Sequence, residues 1–274
     1  MNIFQAIILG ILQGLTEFLP ISSSGHLVIL PFFLNWDIPE KEMFVFDVLV
    51  QLGTLVAVIF YFRKELASII GDFFKQLFSG TPFATHEARM GWLLILATIP
   101  AGLAGLLLDD LVEQTFTSPL FAGIALLVTG LLMVLAEKFS QKLGDLHDIT
   151  FVTALIMGLM QALALFPGIS RSGATISGGM ARHLKRESAG KFSFLMSIPI
   201  MLAAGGLSTY QMITEIPDLM RFLPTMAVGF LTAMVVGYIA IRWLLRFLSN
   251  HSLVYFSIYC ALLGGATVLV WALR

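Results

Sequence analysis

The chain has 274 residues, 58% of them hydrophobic and only 12% charged, with a mean hydropathy of +0.91. This excludes a water-soluble globular domain and leaves a polytopic membrane protein. The formal net charge is −1, so the distribution of charge between loops matters more than its sum, and nucleic acid is not an expected partner. Cys260 is the sole cysteine, which excludes an internal disulfide and any Cys-based metal site.

The start, Met1-Asn2-Ile3-Phe4-Gln5, has no basic n-region and no small-residue cleavage site follows, so the first apolar segment is expected to remain in the mature protein. A spanning helix needs about 20 apolar residues. Residues 3–18 fall short; Pro20 and a Ser/Gly cluster follow, and a second short apolar piece runs over 27–34. Residues 3–34 therefore predict a re-entrant helical hairpin, tolerated at membrane depth only where protein or water surrounds it. Residues 44–62 predict the first full span. In 65–79 the apolar residues fall at i, i+3, i+4 opposite Asp72, Lys75 and Gln76, the pattern of a helix lying in the interface. Spans follow at 91–108 and 120–136. The pattern then restarts, with a second hairpin at 151–184 and spans at 192–210, 226–248 and 253–271.

The restart is also literal. Gln161, Leu163, Phe166, Ile169, Ser170, Ser172 and Gly173 repeat Gln13, Leu15, Phe18, Ile21, Ser22, Ser24 and Gly25 at a constant offset of 148, and Phe192 and Phe194 repeat Phe44 and Phe46. We therefore expect two related halves, 1–140 and 151–274. Three spans per half is an odd number, so the halves take opposite orientations, the inverted-topology repeat common in transporters. The expected fold is an all-α polytopic membrane protein with six transmembrane helices and two re-entrant hairpins meeting near the midplane.

Loop charge fixes the orientation. One face collects Arg63, Lys64, Lys75, Arg89, Lys138, Lys142, Arg182, Lys185, Arg186, Lys191, Arg242 and Arg246. The other holds only Lys41, Arg221 and Arg274 as cations, with Asp37, Glu40, Glu42, Asp109, Asp110, Glu113, Glu215 and Asp218. The basic face is expected to be cytoplasmic, with both termini outside.

The chemistry concentrates in the two hairpin turns. Gln13 and Glu17 lie four apart on one helix face, and a carboxylate at membrane depth is costly unless it has a task. Ser22, Ser23, Ser24 and Gly25 read equally as a helix cap and tight turn or as a nucleophile and its donors. His26 beside them favours the second reading, because a Ser hydroxyl needs a base. In the second turn the Arg171 guanidinium offers a fork matching phosphate geometry, with Ser170, Ser172, Gly173 and Thr175 at the following helix start as neutral donors. A salt bridge from Arg171 to Glu17 or Asp47 is the structural alternative. Asp47 and Gln51, four apart in the first span, are candidate supporting residues or metal ligands, although Glu17 and Asp47 alone do not make a closed cage for Mg2+ or Ca2+. His86, His147, His183 and His251 fall in loops or helix ends on the basic side and are read as solvated.

Gln13-x-x-x-Glu17, Pro20-Ile-Ser-Ser-Ser-Gly-His26 and Pro167-Gly-Ile-Ser-Arg171-Ser-Gly-Ala-Thr175, together with the segment from Phe46-Asp47 to Gln51-Leu-Gly53, resemble the BacA-type undecaprenyl-diphosphate phosphatases (the UppP family) over essentially the whole chain. The resemblance implies hydrolysis of undecaprenyl diphosphate to the monophosphate, which recycles the carrier for peptidoglycan synthesis and confers bacitracin resistance. It implies catalytic roles for Glu17, Ser23, His26 and Arg171, a divalent cation (Mg2+ or Ca2+) with Glu17 as a candidate ligand, and a site facing the outer side of the bacterial plasma membrane. The first motif position is Gln13 here, where the family also uses Glu, leaving one carboxylate fewer. Either Ser23 or a water it orients attacks, with His26 handling the proton and Glu17 orienting His26 or holding the cation. The expected partners are a prenyl diphosphate lipid and membrane lipids, with a homodimer as an assembly to consider.

A prenyl-phosphate flippase or transporter is the alternative from a different class, since inverted repeats and midplane polar residues do not require catalysis. The other class of membrane lipid phosphatase is echoed in Ser24-Gly25-His26 and Ser170-Arg171. It expects an Arg-Pro element and a His shortly after Ser-Arg; this chain has no Arg-Pro, and the nearest following histidine is His183.

Overall fold

A computed structural model describes residues 1–116, 118–215 and 219–273; the side chains of Glu40, Lys41, Asp109, Asp110, Glu113, Glu215, Arg221 and Leu223 lie outside that description, as do Asp218 and Arg274. Much of the acidic face drawn from the sequence thus falls outside the described residues. Those described form helices α1 (Ile3–Thr16), α2 (Ser23–Leu34), α3 (Glu40–Tyr61), α4 (Arg63–Phe78), α5 (His86–Leu107), α6 (Asp109–Phe116), α7 (Pro119–Phe139), α8 (Phe151–Leu163), α9 (Arg171–Ala181), α10 (Arg186–Glu215), α11 (Leu219–Asn250) and α12 (Val254–Leu273).

Six helices, α3, α5, α7, α10, α11 and α12, are long and apolar enough to cross a bilayer. Several outrun the spans drawn from hydropathy. The span expected at 91–108 begins five residues earlier, at His86, because Thr85 caps α5 by accepting the Ala88 N–H at 3.2 Å. The spans expected at 192–210 and 226–248 are the middles of α10 and α11. The acidic link after α5 is itself a short helix, α6.

The short helices carry the two turns. At about 1.5 Å per residue, the 14 residues of α1 and 13 of α8 reach only ~20 Å, short of a hydrocarbon core of ~30 Å. After α2 the chain returns to where α1 began: Met1, Trp36, Ile38 and Met43 pack around the cluster holding Ala6 and Leu9, and the N-terminal amine meets the Glu42 carboxylate. After α9 it returns likewise, the Leu143 and Gly144 N–H groups donating to the His183 carbonyl at 2.9 and 3.0 Å. The outward faces of α1 and α8 keep the offset of 148: Phe4, Ile7, Ile11 and Leu15 are exposed, and so are Val152, Leu155, Leu159 and Leu163. Apolar stripes of this kind are stable against lipid rather than water.

Each short helix packs on a long helix of the other half, α1 along α11 and α8 along α5. Glycines at equivalent positions set both seams. A Cβ on Gly10 would sit 2.8 Å from the Gly229 carbonyl oxygen, and one on Gly158 would sit 2.5 Å from that of Ala97. Gly158→Leu is expected to separate α8 from α5 and destabilise the fold by roughly 3 kcal/mol, read as a large drop in the thermal unfolding midpoint in detergent. A midpoint equal to wild type would contradict this close packing.

At the basic end, Glu137 of α7 accepts from Arg186 Nε at 2.6 Å, Arg186 Nη2 at 2.7 Å and the Leu253 backbone N–H at 2.8 Å, and pairs with Lys142 at 2.7 Å. One carboxylate thereby joins the ends of α7, α10 and α12. In α4, Phe73 packs against Trp92 at 5.0 Å between ring centroids while Ile70, Phe74 and Phe78 stay exposed.

Candidate active site

The two turns touch. Gly25 approaches Gly168 so closely that a Cβ on Gly25 would lie 2.9 Å from the Gly168 Cα. Gly168 has φ +94, a left-handed conformation that suits glycine. Ser172 Oγ donates across the junction to the Leu19 carbonyl at 3.0 Å.

Each turn ends in a serine cap. Ser22 Oγ accepts the Gly25 N–H at 3.2 Å and Ser170 Oγ accepts the Gly173 N–H at 3.1 Å, so the duplication preserves the cap itself. The N-terminal ends of α2 and α9, each carrying the positive pole of a helix, therefore converge. Ser22 reaches its place with φ +70, a conformation costly for a residue with a side chain.

Glu17 is the hub. One carboxylate oxygen, Oε2, accepts from Ser23 Oγ at 2.6 Å and from Gln13 Nε2 at 3.0 Å; the other accepts from Arg171 Nη2 at 2.8 Å. Of the two salt bridges considered for Arg171, the structure forms that to Glu17. Arg171 Nη1 is buried without a partner. A cavity of about 260 Å³ lies over this cluster, lined by Glu17, Ser22, Ser23, Ser24, Gln51, Gln161, Ser170 and Arg171, with Val112 and Phe116 of α6 and Met201 and Ala204 of α10.

His26 is placed differently from the sequence expectation. It is buried, but Nδ1 lies 2.7 Å from the Ser22 carbonyl and Nε2 lies 2.7 Å from Tyr259 Oη. A carbonyl can only accept, so Nδ1 carries the hydrogen and Nε2 accepts from the tyrosine. The side chain hydrogen-bonded to Ser23 Oγ is the Glu17 carboxylate, not the His26 imidazole. The imidazole instead secures the strained Ser22.

Among the expected donors, Ser22, Ser24 and Ser170 line the cavity. Ser172 is spent on Leu19. Thr175 is buried, donating to the Arg171 carbonyl at 2.7 Å and sharing a hydrogen bond with Ser193 Oγ at 2.6 Å. Gly25 and Gly173 supply the capping N–H groups, and Gln13 supports Glu17 from behind. Asp47 does not line the cavity; its Oδ1 is buried without a partner. His86 and His147 lie ring to ring at 4.0 Å, away from the site.

Tyr259 and Gln161 join the site without having been anticipated from sequence. Tyr259 lies 233 positions from His26 on a helix that reads as plain apolar span, so nothing local marks it. Gln161 was visible as the copy of Gln13, and that repetition was the available signal.

The family described as bacitracin resistance protein BacA matches residues 6–266. The chain is 41% identical to the undecaprenyl-diphosphatase of Chlorobaculum tepidum, covering 98% of both chains. It is 43% identical to that of Gemmatimonas aurantiaca over 96% of each. With that of Myxococcus xanthus it shares 40% identity over 96% of this chain and 87% of the relative.

Proposed function

Because the chain belongs to the BacA family of bacitracin resistance proteins, we propose that it is a multi-pass membrane phosphatase. Its reaction converts undecaprenyl diphosphate to undecaprenyl phosphate and inorganic phosphate, which returns the lipid carrier to peptidoglycan synthesis and underlies bacitracin resistance. The relatives' names favour hydrolysis over the transport alternative. The observation that carries the site reading is the 2.6 Å hydrogen bond from Ser23 Oγ to Glu17, formed beside an Arg171 that still has an unspent donor.

The geometry supports a two-step route. The diphosphate enters the cavity, where Arg171 Nη1 and the N-terminal poles of α2 and α9 attract its charge. Glu17 takes the Ser23 proton as Oγ attacks the terminal phosphorus. The bond to the bridging oxygen breaks and undecaprenyl phosphate leaves, taking the proton from Glu17 and restoring its carboxylate. Water then cleaves the phosphoserine, releasing phosphate and restoring the hydroxyl. Arg171 counters the charge developing on the transferring group. His26, held by Tyr259, keeps Ser22 in its left-handed conformation so that Ser23 faces Glu17.

Glu17 is the one carboxylate among the described lining of the cavity and would be the protein ligand of a divalent cation there. Among the described residues no three His, Cys, Asp or Glu side chains converge, so the ion would be held by that one carboxylate and by phosphate oxygens and water, a ligand set suited to Mg2+. It would supply charge neutralisation on the diphosphate.

The two turns are read as re-entrant hairpins and the halves as an inverted repeat, because α1 and α8 are too short to span and each packs on the other half. The cavity is read as opening to the outer side of the plasma membrane, because α6, which lines it, lies at the end of the bundle opposite the basic loops.

Purified protein in detergent, where transport cannot be scored, is expected to release phosphate from undecaprenyl diphosphate with Mg2+ or Ca2+ present and to stop when EDTA is added. No release under either cation would sink the enzyme reading, and undiminished release in EDTA would sink the cation.

A further inference from the structure

Gln161 occupies the place in the second half that Gln13 holds in the first, but the duplication stops short of its partner. Gln13 donates to the carboxylate four residues on, whereas the residue four beyond Gln161 is Leu165. The Gln161 amide therefore has no carboxylate to bind. Its Nε2 makes one long contact, 3.5 Å to the Ala97 carbonyl, and its Oε1 has no partner. The residue is only 2% exposed, and it lines the same cavity as Glu17, Ser23 and Arg171. A buried polar atom with no partner is costly and calls for one.

The chemistry of the unsatisfied atoms sorts what each will take. Arg171 Nη1 is a donor and complements a phosphate oxygen. Gln161 Oε1 is an acceptor, and an ionised phosphate oxygen is also an acceptor, so the two repel. Oε1 complements an O–H instead. We propose that Gln161 orients the water that attacks phosphorus when phosphate is released, accepting one of its two hydrogens through Oε1. The proposal rests on the phosphatase reading of this cavity. In the step itself, the water oxygen forms the new bond to phosphorus and the bond from phosphorus to Ser23 Oγ breaks. One water hydrogen returns to Ser23 through Glu17 and the other stays hydrogen-bonded to Gln161. Orientation of attacking water by a glutamine amide is an effective device in phosphoryl transfer.

Methanol separates this role from others. As a nucleophile it has one hydrogen, which goes to the base, and a methyl group where water has its second hydrogen. It therefore gains nothing from Gln161 Oε1. With farnesyl diphosphate as substrate in detergent and dilute methanol present, wild type partitions between inorganic phosphate and methyl phosphate. Gln161→Met, which keeps the length and removes the acceptor, is expected to slow phosphate release and raise the methyl phosphate to phosphate ratio by about three- to tenfold, the worth of one hydrogen bond. Gln161→Glu keeps an acceptor oxygen and is expected to retain the wild-type ratio at whatever rate it turns over. If the Met variant does not elute as a single folded species, Gln161→Leu carries the same expectation.

An unchanged ratio in Gln161→Met would overturn the proposal. So would an unchanged ratio accompanied by a raised half-saturating Mg2+ concentration, which would make Gln161 a cation ligand. Wild type that releases no phosphate from either farnesyl or undecaprenyl diphosphate would instead remove the phosphatase reading beneath it, an outcome distinct from both.

Discussion

Arg171→Ala is expected to lower phosphate release by at least about a thousandfold, within the range seen when a cation is removed from a transferring phosphoryl group, and to destabilise the protein as well. The stability effect follows from the pair geometry. Arg171 and Glu17 are both largely buried, their side chains 14% and 8% exposed, and removing one partner leaves the other charge uncompensated at a cost of about 3–5 kcal/mol. Arg171→Lys separates the two effects. A single ammonium can pair with Glu17 but lacks a second nitrogen corresponding to the unpartnered Nη1. It is expected to recover much of the thermal midpoint and little of the turnover. Equal recovery of both would mean that Arg171 acts only as the counter-ion of Glu17.

The second large effect is at Ser23. Ser23→Ala removes the hydroxyl that Glu17 holds at 2.6 Å while leaving Gln13 and Arg171 on the same carboxylate, so folding should be little changed, within about 1 kcal/mol. Turnover should fall by a thousandfold or more, as it does when a covalent nucleophile is lost. Wild type quenched during turnover with substrate labelled in the terminal phosphate should carry the label on Ser23. Full activity in the alanine variant, or label that never reaches the protein, would leave water as the direct nucleophile.

How much of this was legible in the sequence depends on how local each signal is. The duplication at an offset of 148 predicted two related turns, and the structure joins them through Glu17 and Arg171 and through the touching Gly25 and Gly168. Hydropathy found the six long helices but not their ends, because the first turns of α5 and α10 carry His86, Glu87, Arg186 and Glu187, which an apolar window rejects. The contact of His26 was not legible. Adjacency to three serines suggested Ser23, yet a helical turn sends neighbouring side chains in different directions, and the real partner arrives on α12. Thr175 shows the same limit, since a hydroxyl in a phosphate-binding motif can equally close on the preceding turn of its own helix.

The crossed packing of α1 on α11 and α8 on α5 bears on how the protein is made. During synthesis the first hairpin emerges long before the helix it must lie against, and Gly10 and Gly14 have no surface to close on until α11 has entered the bilayer. The nascent amino-terminal half therefore waits, with its turn unsealed and Glu17 unpaired, for the end of translation. A chain cut between α7 and α8 would be a substrate for quality-control proteolysis rather than half an enzyme, and co-expressing the two pieces would rescue both or neither.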